Sequence, residues 1–161
     1  MAFLYSRRVR ETLLVAHIAV AVSLLGDSAG FLAIAIRASR LDDPVRINEL
    51  ISVLDMLSVV FGIPLSFASI VTGVALGLGT KWGVFRYPWV IAKLLLIISV
   101  MVVGGVVINP AQTRMLNGTG NGVPQLIAAG AYDVVALTIA VALSVFKPGR
   151  SLRGGKTPIP A

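Results

Sequence analysis

Apolar residues gather in four long stretches, at 12–36, 51–78, 88–108 and 123–146, and most polar residues are left at their ends. Each stretch reaches the roughly 20 residues that a helix needs to cross a hydrocarbon layer of about 30 Å. The expected fold is all-α: an integral membrane bundle of four transmembrane helices, forming one domain over 1–161. Ser6-Arg7-Arg8 has the look of a twin-arginine export signal. The apolar stretch behind it runs to about 25 residues, against 7–15 in a signal peptide, so it is read as a span and not as a cleaved leader.

Local signals place the ends. Asp43-Pro44 reads as a helix start, with aspartate as cap and proline in the first helical position. The second helix is then expected to begin outside the membrane and run inward, stopping at Gly77-Leu78-Gly79-Thr80. Lys81 to Trp89 reads as a tight turn crowded with aromatic side chains, as at a headgroup boundary. Residues 117–122, Asn-Gly-Thr-Gly-Asn-Gly, read as a flexible loop. Pro64 removes one backbone hydrogen bond from the second helix, and a kink is expected there. Gly26-x-x-x-Gly30, Gly73-x-x-x-Gly77, Gly104-Gly105 and Gly130 are expected to let helix backbones approach closely, since helices in lipid gain little from hydrophobicity alone.

Composition narrows the class further. The hydrophobic fraction is 57% and only 13% of residues are charged, against about 25% in a soluble domain. The absence of cysteine excludes disulfides, thiolate metal sites and thiol catalysis. A net charge of +7 suggests nucleic acid at first sight, but the cations sit at the ends of the spans. Arg7, Arg8, Arg10, Lys81, Arg86, Lys147, Arg150, Arg153 and Lys156 fall on one side, and Arg37, Arg40, Arg46 and Arg114 on the other. The positive-inside rule then puts both termini in the cytoplasm, with the protein in the cell (inner) membrane. The expected partners are the bilayer and its anionic lipids at the cytoplasmic face, not nucleic acid. A homodimer or a partner membrane protein is also open.

Chemistry at membrane depth is confined to a few ionisable residues. At 1.5 Å per residue, Asp27 lies roughly 15 Å and Asp133 roughly 13 Å below the outer surface, in one layer. His17 and Lys93 lie about 7 Å from the cytoplasmic end, in a second layer. Asp55 falls near the outer boundary. Lys93 is expected to snorkel to the inner headgroups, and His17 to pack as a neutral ring bonded to a carbonyl. A bare acid at the depth of Asp27 and Asp133 costs several kcal/mol. The pair is therefore expected to face each other and hold a proton or a cation, or else to bond to Ser28, Tyr132 or a carbonyl.

The segments Leu25-Gly26-Asp27-Ser28-Ala29-Gly30-Phe31, Leu78-Gly79-Thr80-Lys81-Trp82-Gly83, Trp89-Val90-Ile91-Ala92-Lys93-Leu94 and Leu143-Ser144-Val145-Phe146-Lys147-Pro148 carry a resemblance. They resemble an uncharacterised, actinobacterial-type family of four-helix integral membrane proteins, which is distantly similar to the copper-resistance D membrane proteins. The resemblance covers nearly the whole chain and implies the fold but no activity. Where related sequences carry further histidines, this chain has Asn109 and Ala128-Ala129. No histidine-based metal or haem role is implied for it.

Three classes of function fit these observations. One is a small transport or cation- and proton-handling protein built on the acidic pair. Another is a non-catalytic accessory subunit of a membrane complex. The third, a haem or quinone redox anchor, is weakest, because bis-histidine ligation needs two histidines and the chain has one. No nucleophile–base pair or metal-ligand cluster stands out, so no enzyme and no cofactor are expected.

Single cysteines at Ser39, Thr119 and Ser151 test the topology in intact cells. An impermeant thiol reagent should label the first two and not the third; the reverse pattern would invert the assignment.

Overall fold

The computed structural model describes residues 6–79 and 88–146. The turn at 81–87 and the basic residues at 147–156 lie outside the described residues. Within them are four helices long and apolar enough to cross a membrane: Arg7–Ala38, Pro44–Leu78, Pro88–Leu116 and Val123–Phe146. They are the first to fourth spans below. No strand occurs among the described residues.

The helices outrun the apolar pattern because their ends are capped in the polar margins. The Ser6 hydroxyl accepts from the Val9 N–H at 3.4 Å, and Arg7 pairs with Glu11 one turn on at 2.8 Å. Asp43 accepts from the Val45 N–H at 3.0 Å, with Pro44 opening the helix. The third span departs from the sequence reading. It continues past residue 108 to Leu116, because the polar residues Asn109, Gln112, Thr113 and Arg114 end the apolar pattern without ending the helix.

Two prolines sit inside these helices, and each follows a π-helical turn. Ser58–Gly62 precedes Pro64, and Gly104–Ile108 precedes Pro110 at the same spacing. The cause is steric. A proline ring clashes with the carbonyl four residues back and has no N–H to donate. An extra residue in the preceding turn relieves that clash. The Ile63 N–H goes to the Ser58 carbonyl, and that of Asn109 to Gly104, each five residues back. Val59 and Val60 therefore lose the donors they would have four residues on, the first diverted and the second absent. Gly105 and Val106 lose theirs in the same way. All four residues lie on exposed faces.

The 117–122 loop is held more firmly than its glycines suggest. The Gly118 N–H bonds to Met115 O at 3.0 Å and that of Thr119 to Arg114 O at 2.9 Å, which is a Schellman end. Gly118 takes φ 66°, where a side chain would be strained. Asn121 then accepts from the Val123 N–H at 3.0 Å and starts the fourth span.

The spans run alternately up and down around a square. The first packs on the second and fourth, and the third on the fourth and second. One apolar cluster fills the end of the bundle away from the termini, with Phe31, Ala35, Leu54, Ile108, Met115 and Leu126 among its members. A smaller one lies nearer the termini: Leu24, Ile97, Val100, Ala136 and Leu137. The outward faces are apolar as well. Val15, Val22, Val71, Val106 and Val145 are each more than 60% exposed, as a lipid-facing surface requires.

The glycines divide into two groups. A Cβ on Gly130 would stand 3.2 Å from Phe31 and 3.4 Å from Leu32, so the first and fourth spans meet closely there. Gly73 lies likewise under the His17 ring, at 3.2 Å. Gly26, Gly30, Gly104 and Gly105 have nothing within 4 Å, so they do not carry contacts within the bundle as the sequence suggested.

Gly130→Leu should therefore destabilise the protein by about 1–3 kcal/mol through overpacking. Gly26→Leu should cost less than about 0.5 kcal/mol, as at other open surface positions. Unfolding of both variants in mixed micelles distinguishes them, and equal losses would contradict this packing.

Candidate functional site

The antiparallel register sets the level of the acids. Gly130 lies against Phe31 and Leu32. Three residues further down the fourth span, Asp133 is thus about level with Ser28. Asp27 Oδ2 lies 3.5 Å from where a Cβ of Gly62 would stand, on the π turn of the second span. Asp27, Ser28, Gly62 and Asp133 therefore share one layer between the two apolar clusters.

The two acids sit differently within it. Asp133 is 7% exposed and lies in the middle of the buried stripe of the fourth span, between Ala129, Gly130, Ala136 and Leu137. Its Oδ1 is enclosed and has no hydrogen-bond partner among the described residues. Asp27 is half-buried at the edge of the first span's inner stripe and rests against the second span. No hydrogen bond links the two acids among the described residues. Ser28 is buried nearby and bonds to neither acid. Tyr132 is no partner either: its hydroxyl lies 2.6 Å from Ser99 Oγ. The sequence offered both as partners for the acids, and here their geometry differs from that reading.

A second polar group lies nearer the termini. His17 Nδ1 is 2.9 Å from Thr72 Oγ1. The Thr72 hydroxyl donates to Ala68 O at 2.7 Å, so its oxygen accepts from Nδ1–H and Nε2 is left over. The Lys93 ammonium lies 6.0 Å from the centre of the Trp89 ring, turned toward the start of its helix. Asp55 is half-buried on the second span, just before the π turn.

Attention to ionisable groups alone misses a ladder of hydroxyls. Ser58, Ser66, Ser69 and Thr72 follow one another along the second span, with Gly62 between the first two. Ser66 is 5% exposed, and its hydroxyl is unbonded among the described residues. At the far end Gln112, 1% exposed, donates to Ser58 Oγ at 3.4 Å. The three-residue spacing of Ser66, Ser69 and Thr72 was the signal available in the sequence.

An open depression of about 770 Å³ lies at the end away from the termini, lined by Ser39, Pro44, Asn48, Asn121 and Pro124 among others. None of the four ionisable residues of the two layers lines it. Among the described residues no group of three or more His, Asp or Glu is placed to hold a metal ion.

Fold and layers together define a small four-span integral membrane protein whose apolar interior holds a few polar side chains. The model of the family described as "Predicted integral membrane protein (DUF2269)" matches residues 11–148, and the chain belongs to that family. No curated protein and no solved structure matches it.

An enclosed acceptor without a donor costs about 1–3 kcal/mol. Asp133→Asn and Asp133→Val should accordingly leave thermal stability in detergent equal to wild type or raise it by up to that amount. A clear loss in both variants would show that the carboxyl is a structural tie.

Proposed function

We propose that this protein handles protons or small cations within the membrane, with Asp133 as the binding group and Asp27 beside it in the layer. The observation that supports this reading best is the unpartnered Oδ1 of Asp133, enclosed between two apolar clusters. An acid at membrane depth is expensive, and it lowers that cost by taking up a proton or a cation. Asp27 adds a second carboxyl at the same level. The positive-inside rule gives the orientation, with both termini in the cytoplasm of a cell (inner) membrane and the basic ends on anionic lipid.

The test uses purified protein in sealed vesicles with a pH-sensitive dye inside and an imposed membrane potential. Wild type should move protons, and Asp133→Asn should abolish the movement. A sodium gradient in place of the pH readout separates the two cargoes. Absence of flux for either ion, or full flux in Asp133→Asn, overturns the proposal.

One observation favours a second reading, an accessory subunit. Gly26, Gly30, Gly104 and Gly105 face outward with open space around them. Small residues on a lipid face suit close approach of another helix. Native mass measurement from mild detergent addresses it: a complex that Gly26→Leu dissociates supports it, and a monomer opposes it.

A further inference from the structure

The hydroxyl ladder of the second span connects the two polar layers. It runs from Ser58 to Thr72, about 21 Å along the helix. Asp27 meets it at Gly62, and His17 closes it at Thr72. Between these points the register places Ser66 and Ser69 about level with Leu24 and Val20 of the first span. Ser66 and Ser28 are buried residues, 5% and 7% exposed, and their hydroxyls bond to nothing among the described residues.

We propose that the seam between the first and second spans is a proton route joining His17 to the acidic layer, open toward the termini and closed at the other end. The inference rests on the proton-handling reading above and names its cargo and its path. Ser66, Ser69 and Thr72 are three residues apart, about 4.5 Å, and Gly62, where Asp27 joins, is four residues from Ser66, about 6 Å. That is too far for a direct hydrogen bond and suits one bridging water between each pair. A hydroxyl both donates and accepts, so once the Thr72 O–H swings from the Ala68 carbonyl toward the next group, each hydroxyl takes a proton from one side as it gives one to the other. The balance is simple: one proton enters at His17 Nε2, one proton shifts along each bond of the chain, and one arrives on a carboxylate oxygen of Asp133 or Asp27. A divalent metal ion gathers about six or more oxygens around one point. The ladder supplies at most one hydroxyl per turn and none at Gly62, which serves a relay and not a coordination shell.

The direction of access follows from packing. Beyond the acidic layer the large apolar cluster fills the bundle, and Gln112 donates to Ser58 across it. Toward the termini the apolar filling is thinner: the smaller cluster reaches no further than Leu24 on the first span, and His17 beyond it is half-buried. The titratable groups of the two polar layers are Asp27, Asp133, His17 and Lys93, and Asp55 stands half-buried on the second span just before the π turn.

Two measurements test the route, both on the full chain, which has no cysteine of its own. In the vesicle assay, Ser66→Val, Thr72→Val and His17→Phe should each slow proton flux about tenfold or more, equivalent to about 1.4 kcal/mol of added barrier. Thr72→Ser, which keeps the hydroxyl, should restore it. In the second measurement, Ser66→Cys and Ser69→Cys should react with a small hydrophilic thiol reagent added from the side of the termini. They should not react from the other side, and lipid-facing Val71→Cys should not react at all. If Asp133→Asn stops the flux but the seam variants conduct as wild type and the cysteines stay unlabelled, the route is wrong and the acidic-layer reading stands. If wild type itself moves no protons, that reading fails and the route with it.

Discussion

The bilayer offers no water to a backbone, and most of this structure answers that constraint. Each N–H and C=O at membrane depth needs a partner within the protein, which is why four long helices account for nearly all the described residues. Helix ends are placed where side chains and turns can cap them, at Ser6, Asp43 and the 117–119 turn. Where a proline breaks the pattern, the helix widens by one residue instead of ending. Those wide turns leave carbonyls on the outer faces of the second and third spans without their usual donors. The same faces are flanked by Gly104 and Gly105, where a neighbouring helix has room to approach.

Against that background, polar side chains in the interior are costly and their arrangement is informative. Gln112, Tyr132, Thr72 and His17 have partners. Asp133, Ser28 and Ser66 do not, and all three face the interior of the bundle. A packed apolar core would fold at lower cost with valine or alanine at these positions. The acids lie where the second span is widened by its π turn, since Asp27 rests on Gly62. The widening that accommodates Pro64 thus also makes room for a carboxyl, so one local irregularity shapes both the backbone and the site.

Much of the architecture was legible in the sequence. The four spans follow from apolar run length, and the start of the second helix from Asp43-Pro44. The common level of Asp27 and Asp133 follows from counting residues along antiparallel helices. Three features were not legible. The third helix runs on to Leu116 because polar residues can be helical, so an apolar pattern marks the membrane and not the helix end. The outward position of Gly26 and Gly30 depends on the rotation of the first span, which small residues alone do not specify. The contact of Asp27 with Gly62 depends on the π turn, a one-residue shift that periodicity cannot show. The hydroxyl ladder was available from spacing, but serines in a membrane helix are common enough that only their burial singles them out.

The central claim is that the carboxyl of Asp133 is an exchangeable proton site in a polar layer between two apolar clusters. Infrared difference spectroscopy of the protein in lipid films, recorded as the buffer pH is stepped, reads this directly. The account predicts a carbonyl band of a weakly hydrogen-bonded carboxylic acid that changes with pH and disappears in Asp133→Asn. A spectrum with no carboxylic acid band, or one whose pH-dependent band survives unchanged in Asp133→Asn, would contradict it.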